Sequence, residues 1–156
     1  MPNDPADISA LAALARTIAV QQGLSPSLVC AVIEQESAWN PYAIRYEPAF
    51  RTRYVAPLRV SATEEIARSI SWGLMQVMGQ VARENGFVER FLPTLCDPAT
   101  GIRTGCIVLG RKIGAASGDL TRALVLWNGG ANQDYAPQVL ARVSRYSPVQ
   151  SPTNTN

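Results

Sequence analysis

Position 36 puts a carboxylate where the local pattern asks for an apolar side chain. Val29, Val32 and Ile33 stand seven, four and three residues before Glu36, spacings that place all four on one helical stripe. Glu34 points elsewhere, toward solvent. Burial disfavours an ionised carboxyl, and a helix carboxyl terminus adds negative potential from unpaired carbonyls, so both effects raise the pKa of Glu36. A carboxylic acid that keeps its proton near neutral pH is a general acid. The same spacing also fits a core-edge glutamate paired with an arginine, and the residues alone leave both readings open.

The rest of the inventory narrows the chemistry. There is no histidine, which removes imidazole acid/base work, His-ligated metals, and Ser-His or Cys-His nucleophile pairs. Cys30, Cys96 and Cys106 form no CxxC pair, and their odd number fits a reducing compartment. A bridge between Cys96 and Cys106 is left open. Proton transfer therefore falls to carboxylates, Tyr or Lys, and neither a metal nor a cofactor is expected.

The elements that position these residues belong to one domain spanning 1–156, with a core over about 8–146. A chain of 156 residues with 47% hydrophobic and 17% charged residues buries a core unaided. A net charge of +2 is far from the basic excess of a nucleic-acid binder. Asp4 and Asp7 stand where a signal peptide carries Lys or Arg, and no apolar run approaches a membrane span, so neither a leader nor stable membrane insertion is expected.

Apolar periodicity predicts a helix over 8–22 ended by Gly23, and a second from the Ser25-Pro26 cap to Glu36, closed by Asn40-Pro41. Residues 41–60 mix aromatics, prolines and arginines without a sustained period and read as an ordered loop, with a weak strand over Arg53 to Val60. A capping box at Ser61 to Glu64 opens a short helix to Ser71, and Leu74, Met75, Met78, Val81 and Ala82 predict another that stops at Gly86. Asp97-Pro98 and Asp119 start two more, and the last runs from Gln133 to Arg145, with a polar frayed tail over 147–156. The fold class is mainly α, with at most a small β element in residues 50–60.

The run Ile33-x-x-Glu36-Ser37 followed by Asn40-Pro41 resembles the catalytic-glutamate motif of the soluble lytic transglycosylases, the SLT domain, whose fold is lysozyme-like of the goose type. Gly73-Leu74-Met75-Gln76 is similar to the family's second motif, and Leu126-Trp127-Asn128-Gly129-Gly130 to its third, usually Ala-x-Tyr-Asn-x-Gly. Asp97-Pro98 through Leu109 resembles the helix before that motif, and Tyr135 with Val139-Leu140 the tyrosine-bearing last helix. The likeness runs in order over about 8–146. Trp127 departs from the usual tyrosine, and the Tyr42 to Ser71 segment is longer than in compact members.

The resemblance implies a helical domain with a substrate groove that cleaves the bond between N-acetylmuramic acid and N-acetylglucosamine in peptidoglycan strands with one glutamate. Glu36 is the implied catalytic acid. Ser37, Met75, Gln76, Trp127, Asn128 and Tyr135 are the implied substrate-side residues, with Tyr135 orienting Glu36. Glu47, in an aromatic loop, is either a second carboxylate activating water, as in goose-type lysozymes, or a loop glutamate paired with Arg45, Arg51 or Arg53. A hydrolase on the same fold and a silent wall-binding or virion module are the competing readings. With no leader expected, the reading is a monomeric phage endolysin, made in the host cytoplasm and released through a holin to the wall, with a virion-associated enzyme or a fragment of a longer protein as the alternatives left open.

Overall fold

The structure, a computed structural model, describes residues 4–130 and 132–147. The expected frayed tail beyond 147 lies outside them. Helix α1 (Pro5–Gln21) is followed by α2 (Pro26–Ser37), whose entry is fixed by Ser25: its hydroxyl accepts from the Leu28 amide at 3.4 Å, and Pro26 occupies the first helical position. Every residue of α2 from Ser27 to Ile33 is buried, so this helix is enclosed all round rather than along one stripe. It packs against α1 on one side and against the last helix, α8 (Tyr135–Tyr146), on the other.

Helix α2 stops before Asn40-Pro41. Ala38 and Trp39 both take left-handed backbone angles, φ 48° and 66°, a conformation costly for residues with a Cβ. Tertiary contacts hold it: Trp39 is buried, and its indole N–H donates to the Tyr146 hydroxyl at 3.1 Å. The Asn40 side chain then accepts from the Tyr42 amide at 3.0 Å and turns the chain away.

The chain next builds a three-stranded antiparallel sheet ordered β1 (Ile44–Tyr46), β2 (Ile70–Trp72), β3 (Val77–Met78). Ile44 faces Trp72 and Tyr46 faces Ile70, while Trp72 faces Val77. The β element expected in 50–60, and the strand over Arg53 to Val60, are therefore corrected. Those residues form the single-turn α3 (Pro48–Phe50), a π-helical turn (Arg51–Val55) and a 3-10 turn (Ala56–Leu58). Only Val55 is buried there, and Pro57 lacks the N–H that a ladder needs.

Helix α4 (Ala62–Arg68) starts on the Ser61 cap as its sequence predicts. The helix expected from Leu74 to Gly86 is also corrected: it forms only as α5 (Gly79–Glu84). Gly73 at φ 67° and Gln76 at φ 47° interrupt it, and a Cβ on Gly73 would overlap the Leu95 carbonyl. Leu74 and Met75 are buried by a turn between β2 and β3, which a short apolar run does not distinguish from a helix face. After a 3-10 turn (Leu92–Cys96) come α6 (Pro98–Ala115), capped by Asp97, α7 (Leu120–Asn128), capped by Asp119, and α8. All three cysteines are free, so Cys96 and Cys106 do not pair.

Candidate active site

Glu34 and Glu36, two positions apart on α2, occupy opposite electrostatic environments. Glu34 is not solvated as expected. It accepts from Arg145 at 2.7 Å and from the Tyr146 hydroxyl at 2.7 Å, with Arg142 at 3.5 Å. The arginine-paired core-edge glutamate that the sequence left open for position 36 is thus found at position 34. Glu36 instead meets two neutral donors, the Trp127 indole at 2.8 Å and the Tyr135 hydroxyl at 2.5 Å, both on Oε1. No described residue donates to Oε2, which leaves that oxygen as the place for a proton.

Burial is the largest influence on the Glu36 carboxyl and raises its pKa above the ordinary glutamate value. The hydrogen bonds from Tyr135 and Trp127, and the charge of Arg45, pull the other way without cancelling it. Burial also pushes the Tyr135 phenol up, and the adjacent carboxylate pushes it further, so the phenol remains a donor. An indole N–H has no acceptor capacity, so Trp127 serves both protonation states of Glu36 as a donor only.

Glu36 opens onto a cleft of about 450 Å³. Gln76, Asn128, Trp127 and Glu47 line it, and so do Arg45, Phe50, Tyr54, Val81, Val108, Lys112 and Leu126. The Gln76 amide donates to the carbonyls of Ala43 and Gly73 at 2.8 and 2.9 Å, pinning the turn that carries it. Asn128 ends α7, and its oxygen accepts from the Asn132 amide at 2.8 Å. Glu47 forms an ion pair with Arg45 at 2.5 Å, so of the alternatives weighed for it the arginine pair is the contact formed.

Three of the implied substrate-side residues do not line the cleft: Tyr135, which is buried and donates to Glu36, and Met75 and Ser37. Met75 is fully buried and packs over Gly105, where an added Cβ would stand 2.9 Å from the Met75 Cβ and overlap its sulfur. It is a core residue. Ser37 lies behind the cleft wall: its hydroxyl donates to the Leu74 carbonyl at 2.9 Å and lies 3.2 Å from that of Ile33, tying the end of α2 to the turn that bears Gln76. Arg45, Phe50, Tyr54 and Lys112 were not singled out as cleft residues from the sequence. The signals were present but weak: Arg45 and Glu47 are two positions apart, the spacing of one face in extended chain, and Val108 and Lys112 are one helical turn apart.

A second, open concavity of about 490 Å³ lies over Ala62, Ile66, Ile70, Trp72 and Pro93. It is lined by no ionisable side chain and offers nothing for proton transfer. Among the described residues no group of His, Cys, Asp or Glu is arranged to hold a metal ion, and no helix is long and apolar enough to cross a membrane.

The family model described as "Transglycosylase SLT domain" matches residues 13–141. Among curated proteins, the chain is similar to membrane-bound lytic murein transglycosylase C from Actinobacillus pleuropneumoniae serotypes 5b, 3 and 7, each 40% identical over 55 residues. The match covers 35% of this chain and 15% of each relative, so the chain spans a small part of those proteins. No solved structure matches it. With a family match that begins inside α1, ends inside α8 and encloses both Glu36 and its two donors, the chain belongs to the transglycosylase SLT domain family.

Proposed function

We propose that the protein is a peptidoglycan lytic transglycosylase that cleaves the β-1,4 bond between N-acetylmuramic acid and N-acetylglucosamine and leaves a 1,6-anhydro sugar. The observation that carries this reading is the carboxyl of Glu36, held by two neutral donors on one oxygen, facing a cleft and raised in pKa by burial, while the other carboxylate of that cleft, Glu47, is paired with Arg45. Protonated Glu36 gives its proton to the leaving glycosidic oxygen as the C1–O bond breaks. The muramyl acetamido group stabilises the oxocarbenium-like centre, which removes the need for a second protein carboxylate. The Glu36 carboxylate, its charge supported by Trp127 and Tyr135, then takes the proton from the C6 hydroxyl as that oxygen closes on C1.

In this reading Tyr135 and Trp127 orient the acid, Gln76 and Asn128 present amide groups to the glycan, and Ser37 and Met75 act only by holding the second-motif turn in place. Glu47, paired with Arg45, is a wall residue rather than the base that activates water. Delivery as a phage endolysin through a holin, and action as a monomer, complete the proposal and rest on the sequence reading. Lysis on co-expression with and without a holin tests the delivery.

Mass spectrometry of peptidoglycan digested by wild type and Glu36→Gln tests the chemistry. Anhydro products, lighter by one water than hydrolysed ends, are expected from wild type and none from the variant. Reducing ends in place of anhydro ends make the protein a hydrolase, and lysis by Glu36→Gln makes it a wall-binding module.

A further inference from the structure

Helix α8 brings a hydroxyl to Glu36 from its first residue, Tyr135, yet its directional contacts gather at its last, Tyr146. Tyr135, Ala136 and Val139 of α8 are buried, and α2, against which α8 packs, is buried from Ser27 to Ile33. Apolar packing of this kind is non-directional and holds two helices together without fixing how far one has slid along the other. Hydrogen bonds fix that, and Tyr146 collects them. Its carbonyl accepts from Arg16 of α1 at 2.8 Å and from the Ser27 hydroxyl, at the start of α2, at 3.0 Å.

The hydroxyl of Tyr146 reaches the other end of α2. It accepts from the Trp39 indole at 3.1 Å and donates to Glu34 at 2.7 Å. Glu34 stands two positions before Glu36 and Trp39 three positions after it, so one hydroxyl on α8 grips the chain on both sides of the acid. Tyr146 does not line the cleft, and contact with a bound glycan therefore does not account for this arrangement. Burial pushes its phenol up to about 12, which keeps it a neutral donor to Glu34.

We propose that Tyr146 is a positioning residue of the active site: its hydroxyl, held between Glu34 and Trp39, sets α8 against the end of α2 so that Tyr135, at the other end of the same helix, meets Glu36. This inference rests on the reading of Glu36 as the acid and adds a residue that the cleft itself does not contain.

Tyr146→Phe removes the hydroxyl and keeps the ring. The charged and titratable groups around Glu36 are Arg45 and Glu47 in the cleft, Lys112 on α6, Tyr135 on α8 and, beside it on α2, Glu34 with Arg142 and Arg145 of α8. The substitution changes the charge of none of them, so a shift in the Glu36 titration reports geometry. With Tyr135 less well placed, a bond that favours the carboxylate weakens and the Glu36 pKa rises.

On peptidoglycan, Tyr146→Phe is expected to lower kcat about five- to tenfold, the worth of one neutral hydrogen bond. KM should stay where it is, and the alkaline limb of the pH–rate profile should move to higher pH. In a Tyr135→Phe background the same substitution should change neither kcat nor the limb further. A limb that stays or moves down overturns the proposal, because a residue needed only for stability lowers the folded fraction without moving it. So does a loss carried by KM, or full additivity with Tyr135→Phe. Wild-type inactivity on peptidoglycan refutes the proposed function, and NMR titration of the Glu36 carboxyl without substrate then decides the positioning role: a midpoint unmoved by Tyr146→Phe overturns it. If thermal midpoints show that Tyr146→Phe does not fold, Trp39→Phe, which removes the donor to that hydroxyl and likewise changes no charge, takes its place with the same expectations.

Discussion

The indole nitrogen of Trp127 and Oε1 of Glu36 are 2.8 Å apart, joining the end of α7 to the end of α2 across 91 positions of sequence. The family's usual residue at the Trp127 position, as the third motif implies, is a tyrosine, whose hydroxyl both donates and accepts. Tryptophan only donates, so the contact favours negative charge on Glu36 without competing for its proton. Replacement by Phe removes the donor and keeps a ring. A hydrogen bond to a charged group is worth about 1.5–3 kcal/mol, so Trp127→Phe is expected to lower kcat by roughly 10- to 100-fold. Because the lost bond had favoured the carboxylate, the alkaline limb of the pH–rate profile should move to higher pH. Trp127→Tyr should recover part of both changes, and a limb moving to lower pH would contradict the assignment.

Glu36 also leaves a signature on stability that needs no substrate. Its native pKa lies above the ordinary value of 4.5, with burial as the main cause. A raised carboxyl contributes stability that is fully present below the unfolded-state pKa and is lost as pH rises through the native one. Each unit of elevation is worth about 1.4 kcal/mol at pH values above both. Glu36→Gln, which keeps an acceptor for Trp127 and Tyr135, should therefore gain stability relative to wild type as pH rises from 4 to 8. Urea denaturation across that range measures it, and a constant difference would mean the carboxyl is not elevated.

The burial of Met75 yields a prediction about packing. A methyl on Gly105 would overlap the Met75 sulfur, and both residues are buried where a shift is costly. Gly105→Ala is expected to cost about 1–3 kcal/mol of stability, the usual penalty of overpacking. Trimming the partner removes the overlap with the sulfur and leaves only the 2.9 Å approach of the two Cβ atoms, so Gly105→Ala should cost less in a Met75→Ala background than in wild type. Additive losses in the double mutant would show that the two side chains do not compete for the same space.

The sequence carried the helices whose ends are local events. Ser25-Pro26, Asp97-Pro98 and Asp119 cap their helices in the structure as their chemistry dictates. It also carried the oddity of Glu36 on an apolar stripe. What it did not carry depends on contacts distant in the chain. The left-handed Ala38 and Trp39 are tolerated because Trp39 reaches Tyr146, and the turn at Gly73 exists because Leu95 leaves no room for a Cβ. Neither partner is visible from the local pattern. Met75 and Gln76 are adjacent, yet one is core and the other lines the cleft, a split fixed by the backbone twist at Gln76 rather than by residue type. The exchange of roles between Glu34 and Glu36 likewise rests on which arginines α8 brings near, and Arg142 and Arg145 are more than a hundred positions away.

Arg45 and Glu47 make the last prediction, one of opposite signs from one ion pair. The Arg45 charge lowers the Glu36 pKa, and Glu47 holds that guanidinium at 2.5 Å, offsetting part of its field at the acid. Removing the cation with Arg45→Gln should raise the Glu36 pKa and carry the alkaline limb of the pH–rate profile upward. Removing the counter-ion with Glu47→Gln should leave Arg45 acting alone and carry the same limb downward. The Arg45 side chain is 73% exposed, so both shifts should be a fraction of a unit and should shrink as salt is added. A water-activating Glu47 gives another pattern: Glu47→Gln would then lose about 100-fold or more in turnover, the typical worth of a general base, whatever the salt. Profiles of the two variants at low and high ionic strength decide between a wall charge and a second catalytic carboxylate.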